Sequence, residues 1–244
     1  ENVGGTVDIN KVLNDNWAVR LVGEKSDTNS FRDGIGSNEE MISPSFTYRS
    51  DDERLLWTTE FTYDDLNRVP DRGPSYENLP DGTSIKMGFA QSGDYVEDVL
   101  KTARTDVKYE FAPGWKFHWG LSHREAEQNF DHFYLGSMCA ADKTPTAKDK
   151  GCYKGYINQI YYWQQTTNKT TANTWDISGE FTTGSLKHNV LVGTDWTYEQ
   201  REPLLSNKNQ DGSLIYGFVN PLTGDRFSNR GSGHVVTSHN YNEG

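Results

Sequence analysis

Apolar and polar side chains alternate along much of the chain, with the period of two that is typical of a half-buried β-strand. In residues 115–124 the odd positions are Trp, Phe, Trp, Leu and His, whereas the even positions are Lys, His, Gly, Ser and Arg. Residues 100–111 repeat this arrangement, with Ala, Thr, Val, Tyr and Phe opposing Thr, Arg, Asp, Lys and Glu. Both segments therefore predict strands that have one apolar and one charged face.

The same test predicts eight strands in all. They lie near residues 3–10, 15–25, 39–49, 54–65, 100–111, 115–126, 173–182 and 188–200. Pro44 falls inside the third segment, where it cannot donate a hydrogen bond to the strand ladder, and we expect a bulge or a local bend there.

The connections between these strands alternate in length. Short turns are predicted at 11–14, 50–53, 112–114 and 183–187, and long connections near 26–38, 66–99, 127–172 and 201–244. A soluble sandwich has no reason to place all its long loops at one end, whereas outer-membrane barrels have short periplasmic turns and long extracellular loops. Strands of this length also match a tilted membrane crossing of roughly 9–11 residues. The alternation of short and long connections predicts an all-β, antiparallel transmembrane barrel segment.

The amino-acid composition excludes some classes of protein. The chain has 244 residues, 34% of them apolar, and a net charge of −11 that argues against nucleic acid as a partner. Its mean hydropathy of −0.81 excludes helical membrane spans but is compatible with a barrel, whose strands alternate faces. The residues Glu1-Asn2-Val3 do not resemble a signal peptide, so we expect either a removed leader or an internal piece.

The two strand faces suggest two different environments. Aromatic residues near strand ends would form girdles on a lipid-facing side; they are Trp17, Tyr48, Tyr109, Phe111, Trp115, Trp196 and Tyr198. The other face is too charged for a dry core and suits a wet or plugged lumen. Its residues are Arg20, Glu60, Arg104, Asp106, Lys108, Glu110, His118, Arg124, Asp176, Glu180, Asp195 and Glu199. The alternative is a solvated face of a soluble sheet.

Eight strands could close into a small barrel, but such a barrel has a narrow interior that is filled by side chains. The inner face predicted here is long, charged and poor in rings, and no terminal strand is predicted to pair with the first. Open sheet edges are not tolerated in lipid. We therefore expect residues 1–244 to form a partial β-barrel domain, an incomplete wall of a wider barrel.

Several short segments resemble a known family. They are Ser30-Phe31-Arg32-Asp33-Gly34, Ile42 to Arg49, Arg68-Val69-Pro70-Asp71-Arg72-Gly73-Pro74, Val7 to Asn10 with Ala18 to Gly23, and Leu191 to Trp196. Together they are similar to successive barrel segments of TonB-dependent ferric-siderophore receptors. The chain departs from the family at Asp71-Arg72-Gly73-Pro74, where the usual Asp-Arg-Gly-Ile-Pro run lacks its Ile.

The resemblance implies a 22-stranded barrel, of which this chain would supply the first half of the wall. The N-terminal plug, the TonB-contacting peptide and the closing strands would lie outside this sequence. It further implies an outer-membrane receptor of a Gram-negative bacterium, with outer-membrane lipid, TonB and a ferric siderophore as its partners. Iron would reach the protein only inside its chelate, with no cofactor and no direct metal ligands. The motifs do not identify the siderophore.

Cys139 and Cys152 lie in one long connection, and two cysteines in an exported chain most simply form a disulfide. Free thiols are the alternative, and a zinc site is disfavoured because no His or Cys pair stands nearby in sequence.

Rings are concentrated in the long connections, where they could bind the aromatic or apolar parts of a chelate while Arg, His132 or Lys101 pairs with its charge. The candidate ligand-binding residues are Arg68, Arg72, Tyr95, Phe130, Tyr134, Tyr162 and Trp163. Tyr76, Phe133, Tyr153, Tyr156 and Tyr161 are further rings in these connections. The alternative is that the rings only pack the loops together.

Catalysis has little support. The chain contains no Gly-x-Ser-x-Gly, His-Glu-x-x-His or glycine-rich phosphate-loop motif, and His118 and His123 are predicted on opposite strand faces. We therefore expect a non-enzymatic receptor. A passive porin-type channel and a soluble, secreted β-rich binding module are the alternatives.

Overall fold

The computed structural model describes residues 2–73 and 78–243 and contains one antiparallel sheet. Its long strands lie side by side in chain order. They are β1 (Asn2–Val12), β2 (Trp17–Asn29), β3 (Gly36–Arg49), β4 (Leu55–Arg68), β5 (Tyr95–Ala112), β6 (Trp115–Met138), β7 (Ile157–Thr183) and β8 (Leu186–Ser206). Within the described ranges β1 does not pair with β8, so the sheet is open. No helix in those ranges is long and apolar enough to cross a membrane.

Four short strands follow the long ones. They are β9 (Tyr216–Val219), β10 (Arg226–Ser228), β11 (Ser238–His239) and β12 (Asn242–Glu243). β9 pairs with the beginning of β7 and with β10, while β11 and β12 pair with β8. The segment after residue 200, predicted as one long connection, therefore folds back onto the last long strands.

Long connections are confirmed after β4 and β6, whereas the one predicted at 26–38 is reduced to residues 30–35. Residues 13–16, 50–54, 113–114 and 184–185 form the short turns, all at one end of the sheet, here called the short-turn end. Residues 30–35, 69–94 and 139–156 connect strands at the opposite, long-loop end. The tightest turns need glycine in the left-handed region: Gly114 follows Pro113 with φ of 74°.

All eight predicted strands are present, but several are longer than predicted at the long-loop end. Residues 95–99, 127–138 and 157–172 were expected in connections and instead continue β5, β6 and β7. The prediction missed them because their sequences are polar or aromatic on both faces, as in Gln164-Gln165-Thr166-Thr167. A strand whose two faces have similar surroundings has no need for the alternation on which the prediction depended.

Pro44 was expected to cause a bulge or a local bend; no bulge is present, although the pairing of β3 with β4 skips Ser43 and Pro44. Ile42 pairs with Tyr63 and Ser45 with Glu60, so the register of β3 against β4 is the same on both sides of the proline. Register shifts occur instead between Glu110 and Ala112 in β5 and between Leu135 and Met138 in β6.

The two faces of the sheet carry the predicted residues. One row of the apolar face contains Trp57, Val107, Trp119 and Trp175, which are register partners on successive strands. No second sheet covers them among the described residues, and Trp175 is 43% exposed. Rings gather at the short-turn edge of this face, where Trp17 lies 4.9 Å from Tyr48 and 6.1 Å from Trp57.

The opposite, polar face is crossed by ion pairs between neighbouring strands. Asp8 contacts Arg20 at 2.7 Å, and Glu60 contacts Arg104 at 3.9 Å. The ring of His118 bridges two strands, with Nε2 2.6 Å from Asp106 and Nδ1 2.8 Å from Asp176. His123 lies on the apolar face beside Thr171, so the two histidines are on opposite faces as predicted.

Buried apolar side chains are found at the long-loop end and not between layers of sheet. Residues 84–94 and 207–234, here called the loop module, pack against the apolar-face side of β6 and β7 above the tryptophan row. Met87, Phe89 and Val219 surround Ile157, and Ile215 packs on Phe133 and Tyr161. The core therefore stabilises the loops and the ends of the two longest strands.

Candidate functional site: an aromatic cluster at the long-loop end

Four rings lie together on the polar-face side of β6 and β7, beyond the ion-paired part of that face. Phe130, His132 and Tyr134 alternate along β6, and Tyr162 is the register partner of His132 on β7. The centroid of the His132 ring lies 4.4 Å from that of Tyr134 and 5.4 Å from that of Phe130. Tyr162 meets Tyr134 edge-on at 6.2 Å. These residues are called the aromatic cluster below.

A cation covers the cluster. The guanidinium of Arg72, in the connection between β4 and β5, lies 4.5 Å from the centroid of the Tyr134 ring. Arg72 is exposed and has no carboxylate partner within residues 2–73 and 78–243. Arg68, at the end of β4, instead pairs with Asp98 at 2.6 Å. The site thus combines accessible positive charge with ring faces that attract it.

His132 is the buried member of the cluster. Its side chain is fully buried, and neither ring nitrogen has a hydrogen-bond partner among the described residues. Burial lowers the pKa of His132 to about 4, so the ring is neutral at physiological pH. A neutral imidazole offers one donor and one acceptor.

The structure divides the seven predicted ligand-binding residues between the two faces. Phe130, Tyr134 and Tyr162 are brought together under Arg72, and Arg68 lies on β4, two strands away from β6. Tyr95 and Trp163 are on the other face, where Tyr95 pairs in register with Asp131 and Trp163 stacks on His234 at 5.3 Å. Lys101 is also on that face, 3.3 Å from Glu127. Pro74 and Tyr76 lie outside the described residues.

A buried charge network lies directly behind the aromatic cluster. Arg230 of the loop module donates to Asp94 at 2.9 Å and to Asp131 of β6 at 2.6 Å. The hydroxyl of Tyr161 donates to the same Asp131 oxygen at 2.9 Å, and His234 lies 3.4 Å from its second oxygen. The side chain of Asp94 is completely buried, and this burial raises its pKa to about 6.

Sequence reasoning did not find this network. Asp94, Asp131 and Arg230 are far apart in sequence, and no motif connects them. They meet only because the loop module folds back onto β6 and β7. Asp131 and Phe133 alternate with the cluster residues along β6, so the network holds the strands that carry the rings.

Two of the family-like segments contact each other near the cluster. Arg32 of the Ser30–Gly34 segment pairs with Asp71 of the Arg68–Pro74 segment at 2.6 Å, and both side chains are largely buried. The backbone amide of Asp33 donates to the carbonyl of Lys86 at 2.8 Å. The connection that carries Arg72 is therefore fixed to the β2–β3 loop, which positions the guanidinium.

The predicted disulfide is confirmed. Cys139 and Cys152 are bonded, with their Cα atoms 5.5 Å apart, in the connection between β6 and β7. Residues 139–156 are called the cystine loop below. Its two sides also pair through the backbone, because Lys143 and Cys152 exchange hydrogen bonds of 2.7 and 2.8 Å.

Replacing both cysteines by serine is expected to loosen the cystine loop while the sheet stays folded. Closing a loop of this length stabilises it by about 3 kcal/mol in the chain-entropy model. We expect faster proteolysis within residues 139–156 and unchanged heat-modifiability of the barrel on a gel. Loss of the barrel band would contradict the placement of this disulfide outside the sheet.

The chain is similar in sequence or in structure to several known proteins. No protein-family model matches the chain. A ferrioxamine receptor of Yersinia enterocolitica is 22% identical over 226 residues, which are 89% of this chain and 28% of that protein. The ferric-catecholate import receptor Fiu of E. coli K12, in its open form, has a TM-score of 0.73 at 18% identity, covering 96% of this chain and 38% of that one.

Two further structures agree with this result. The ferric preacinetobactin receptor BauA of Acinetobacter baumannii matches with a TM-score of 0.71 at 13% identity, over 98% of this chain and 34% of its own. The pyoverdine outer-membrane receptor FpvA of Pseudomonas aeruginosa PAO1 matches with a TM-score of 0.69 at 14% identity, covering 89% of this chain and 35% of that one. The chain spans about a third of the length of these relatives. The resemblance indicated by the sequence motifs is thereby confirmed: the chain has the fold of the barrel portion of TonB-dependent ferric-siderophore receptors and is similar in sequence to a ferrioxamine receptor.

Proposed function

We propose that this chain forms part of the wall of an outer-membrane receptor that binds a ferric siderophore and imports it in a TonB-dependent manner. The proposal is supported by the shared fold and by the chemistry of the aromatic cluster. The relatives are transport receptors and not enzymes, which agrees with the absence of catalytic motifs from the sequence.

The exposed apolar face favours a position in the outer membrane of a Gram-negative bacterium. Phe46, Phe61, Trp175 and Val192 are between 40% and 64% exposed. A continuous apolar surface of this extent is rare on a soluble monomer and marks contact with lipid or protein. In lipid, these side chains contact hydrocarbon while the ion-paired polar face lines a hydrated lumen.

The aromatic cluster under Arg72 is the observation that carries the proposal. It lies at the long-loop end, which is the extracellular end in this orientation, on the side of the sheet that continues the lumen face. Ring faces suit planar catecholates and the apolar arms of hydroxamates, and a guanidinium suits the negative charge of a ferric complex. Iron enters only inside its chelate, as cargo and not as a resident cofactor.

Replacing Tyr134 by Leu in the complete receptor is expected to weaken chelate binding by about tenfold or more. The change removes an aromatic contact to the chelate and the ring on which the Arg72 guanidinium lies. Such contacts contribute about 1–2 kcal/mol to the free energy of binding. Quenching of tryptophan fluorescence by ferric catecholate and ferric hydroxamate complexes measures the affinity. Tyr109→Leu, which alters an exposed ring near the short-turn end that also has an arginine beside it (Arg54, 5.7 Å from the ring centroid), is the matched control and should bind normally.

Uptake distinguishes the receptor from a passive channel. Cells that lack TonB should still bind radioactive iron chelate at the surface but should not accumulate it. Accumulation that continues without TonB, together with free diffusion of sugars through the reconstituted protein, would support the porin-type alternative. A protein that stays soluble and monodisperse without detergent would support a secreted binding module instead.

A further inference from the structure

The charges of the buried network behind the aromatic cluster do not balance. Two carboxylates, those of Asp94 and Asp131, share the single guanidinium of Arg230, whose Nη1 lies 2.9 Å from the first and 2.6 Å from the second. The hydroxyl of Tyr161 donates to Asp131 but brings no charge. When both carboxylates are ionised, the network therefore has one negative charge more than its guanidinium neutralises.

The groups that surround the network do not supply a second permanent cation. Within residues 2–73 and 78–243, no other Arg or Lys forms an ion pair with either carboxylate. His234 lies 3.4 Å from the second oxygen of Asp131, with its ring stacked on two aromatic rings of β7. This imidazole becomes a cation only when it takes up a proton. The phenol of Tyr95 on β5 and the neutral ring of His132 on β6 also feel the charge of Asp131.

Burial makes the unbalanced charge costly. The side chain of Asp94 is completely buried, and that of Arg230 is 10% exposed. The backbone amides of Gln91 and Phe133 donate to Oδ2 of Asp94 at 2.9 and 3.3 Å, which favours the ionised form. Burial is nevertheless the larger effect, and it raises the pKa of Asp94 to about 6. At neutral pH the Asp94 carboxylate is therefore ionised at a cost in free energy, and the uptake of one proton removes that cost.

The network joins the loop module to the sheet. Asp94 is the last residue of 84–94, Arg230 and His234 belong to 207–234, and Asp131 lies on β6. When the loop module separates from β6 and β7, water reaches the Asp94 carboxylate and its pKa returns to the ordinary value of 3.8. Between these two values of the pKa, the closed module binds a proton that the open module releases.

We infer that the loop module is a proton-linked clamp on β6 and β7, closed most firmly at mildly acidic pH and less firmly at neutral and alkaline pH. The inference is carried by the unequal number of buried charges and by their position between the loops and the two strands. Because the closed state has the higher pKa at Asp94, the stabilisation by the proton is complete below the pKa of the open state. It is lost as the pH rises through about 6. The clamp changes the support behind the aromatic cluster and does not depend on which ligand the cluster binds.

Hydrogen exchange of the complete receptor without ligand tests the inference. Mass spectrometry gives the protection factors of backbone amides in residues 84–94 and 207–234 at about pH 5 and about pH 7.5, corrected for the intrinsic pH dependence of exchange. One proton that binds with these two pKa values predicts that protection is about tenfold lower at the higher pH. Amides of residues 115–124 in β6 should keep the same protection at both pH values.

Two variants test whether the excess charge is the cause. Asp94→Asn keeps the size of the side chain and leaves one carboxylate facing one guanidinium, so protection should differ by less than about twofold between the two pH values. Asp225→Asn is the matched control, because this carboxylate of the loop module is exposed and accepts a hydrogen bond from the Thr223 hydroxyl. The control should retain the difference of about tenfold.

A third variant keeps the inference testable if the Asp94→Asn module is open at both pH values. Asp131→Asn then takes its place, because it also leaves one carboxylate facing one guanidinium, and the pH dependence should again be lost. An undiminished pH dependence in either variant overturns the inference. Protection of the wild-type module that is equal at both pH values, or greater at the higher one, overturns it as well.

Discussion

Replacing Trp119 by Arg is expected to abolish assembly of the barrel. Trp119 lies in the middle of the apolar face, between Val107 and Trp175, with its indole nitrogen 2.8 Å from Asn173. In lipid an arginine at this depth costs about 2–4 kcal/mol, and the aromatic contact with the neighbouring strands is lost as well. The heat-modifiability of the full-length protein after expression in the outer membrane measures assembly.

Two control variants separate the effect of the face from the effect of the charge. Ser122→Arg introduces the same cation close to Trp119 on the same strand, but on the polar face, and should be tolerated. Arg104→Ala removes a lumen-facing charge that is 66% exposed and should largely preserve assembly. Equal damage from the Trp119 and Ser122 variants would show that the two faces do not have the different surroundings assigned to them.

Replacing Arg230 by Met is expected to unfold the loop module while the sheet remains assembled. The guanidinium bridges Asp94, whose side chain is fully buried, and Asp131 of β6. Removing one member of a buried ion pair leaves an uncompensated charge and costs about 3–5 kcal/mol. Limited proteolysis should then cut within residues 84–94 and 207–234. Chelate affinity should fall as well, because β6 and β7 lose the support behind the rings.

The second variant in this experiment tests whether charge is the cause. Without Arg230 the buried Asp94 carboxylate has lost its cation. Combining Asp94→Asn with Arg230→Met removes this unpaired charge and should recover part of the lost protease resistance. Arg226→Met is the matched control, because Arg226 is bonded to the carbonyl oxygens of Gly88 and Ala90 and pairs with no carboxylate within the described ranges. If it damages the module as much as Arg230→Met does, then the ion pairs have no special role.

The strands could be predicted wherever their two faces have different surroundings. Residues 115–124 alternate strictly because one face is apolar and exposed while the other carries ion pairs, and β6 lies there as predicted. The same strand continues to Met138 without such a pattern, since its upper part is packed on one side by the loop module. At Pro44 the ladder is interrupted but no bulge forms, because a residue that omits a ladder bond need not change the register of its neighbours.

The candidate site was predicted only in part. Rings and cations were chosen by residue type, and Phe130, Tyr134, Tyr162 and Arg72 were indeed brought together. Trp163 is the neighbour of Tyr162 in sequence but points to the opposite face, where it packs in the loop module. Adjacent residues can be assigned to different faces only once a segment is known to be a strand, and residues 127–172 were expected to be a connection.

The sequence by itself determined the antiparallel order of the long strands, the end at which the long loops gather, the two faces and the resemblance to siderophore receptors. These properties depend on local alternation and on spacing along the chain, which can be read position by position. Only the tertiary structure decided where β6 and β7 end and which rings share a surface. It also decided that Asp94, Asp131 and Arg230 would meet in one buried network. Such contacts join residues that are distant in sequence, and their energy exists only when folding has removed water from around them.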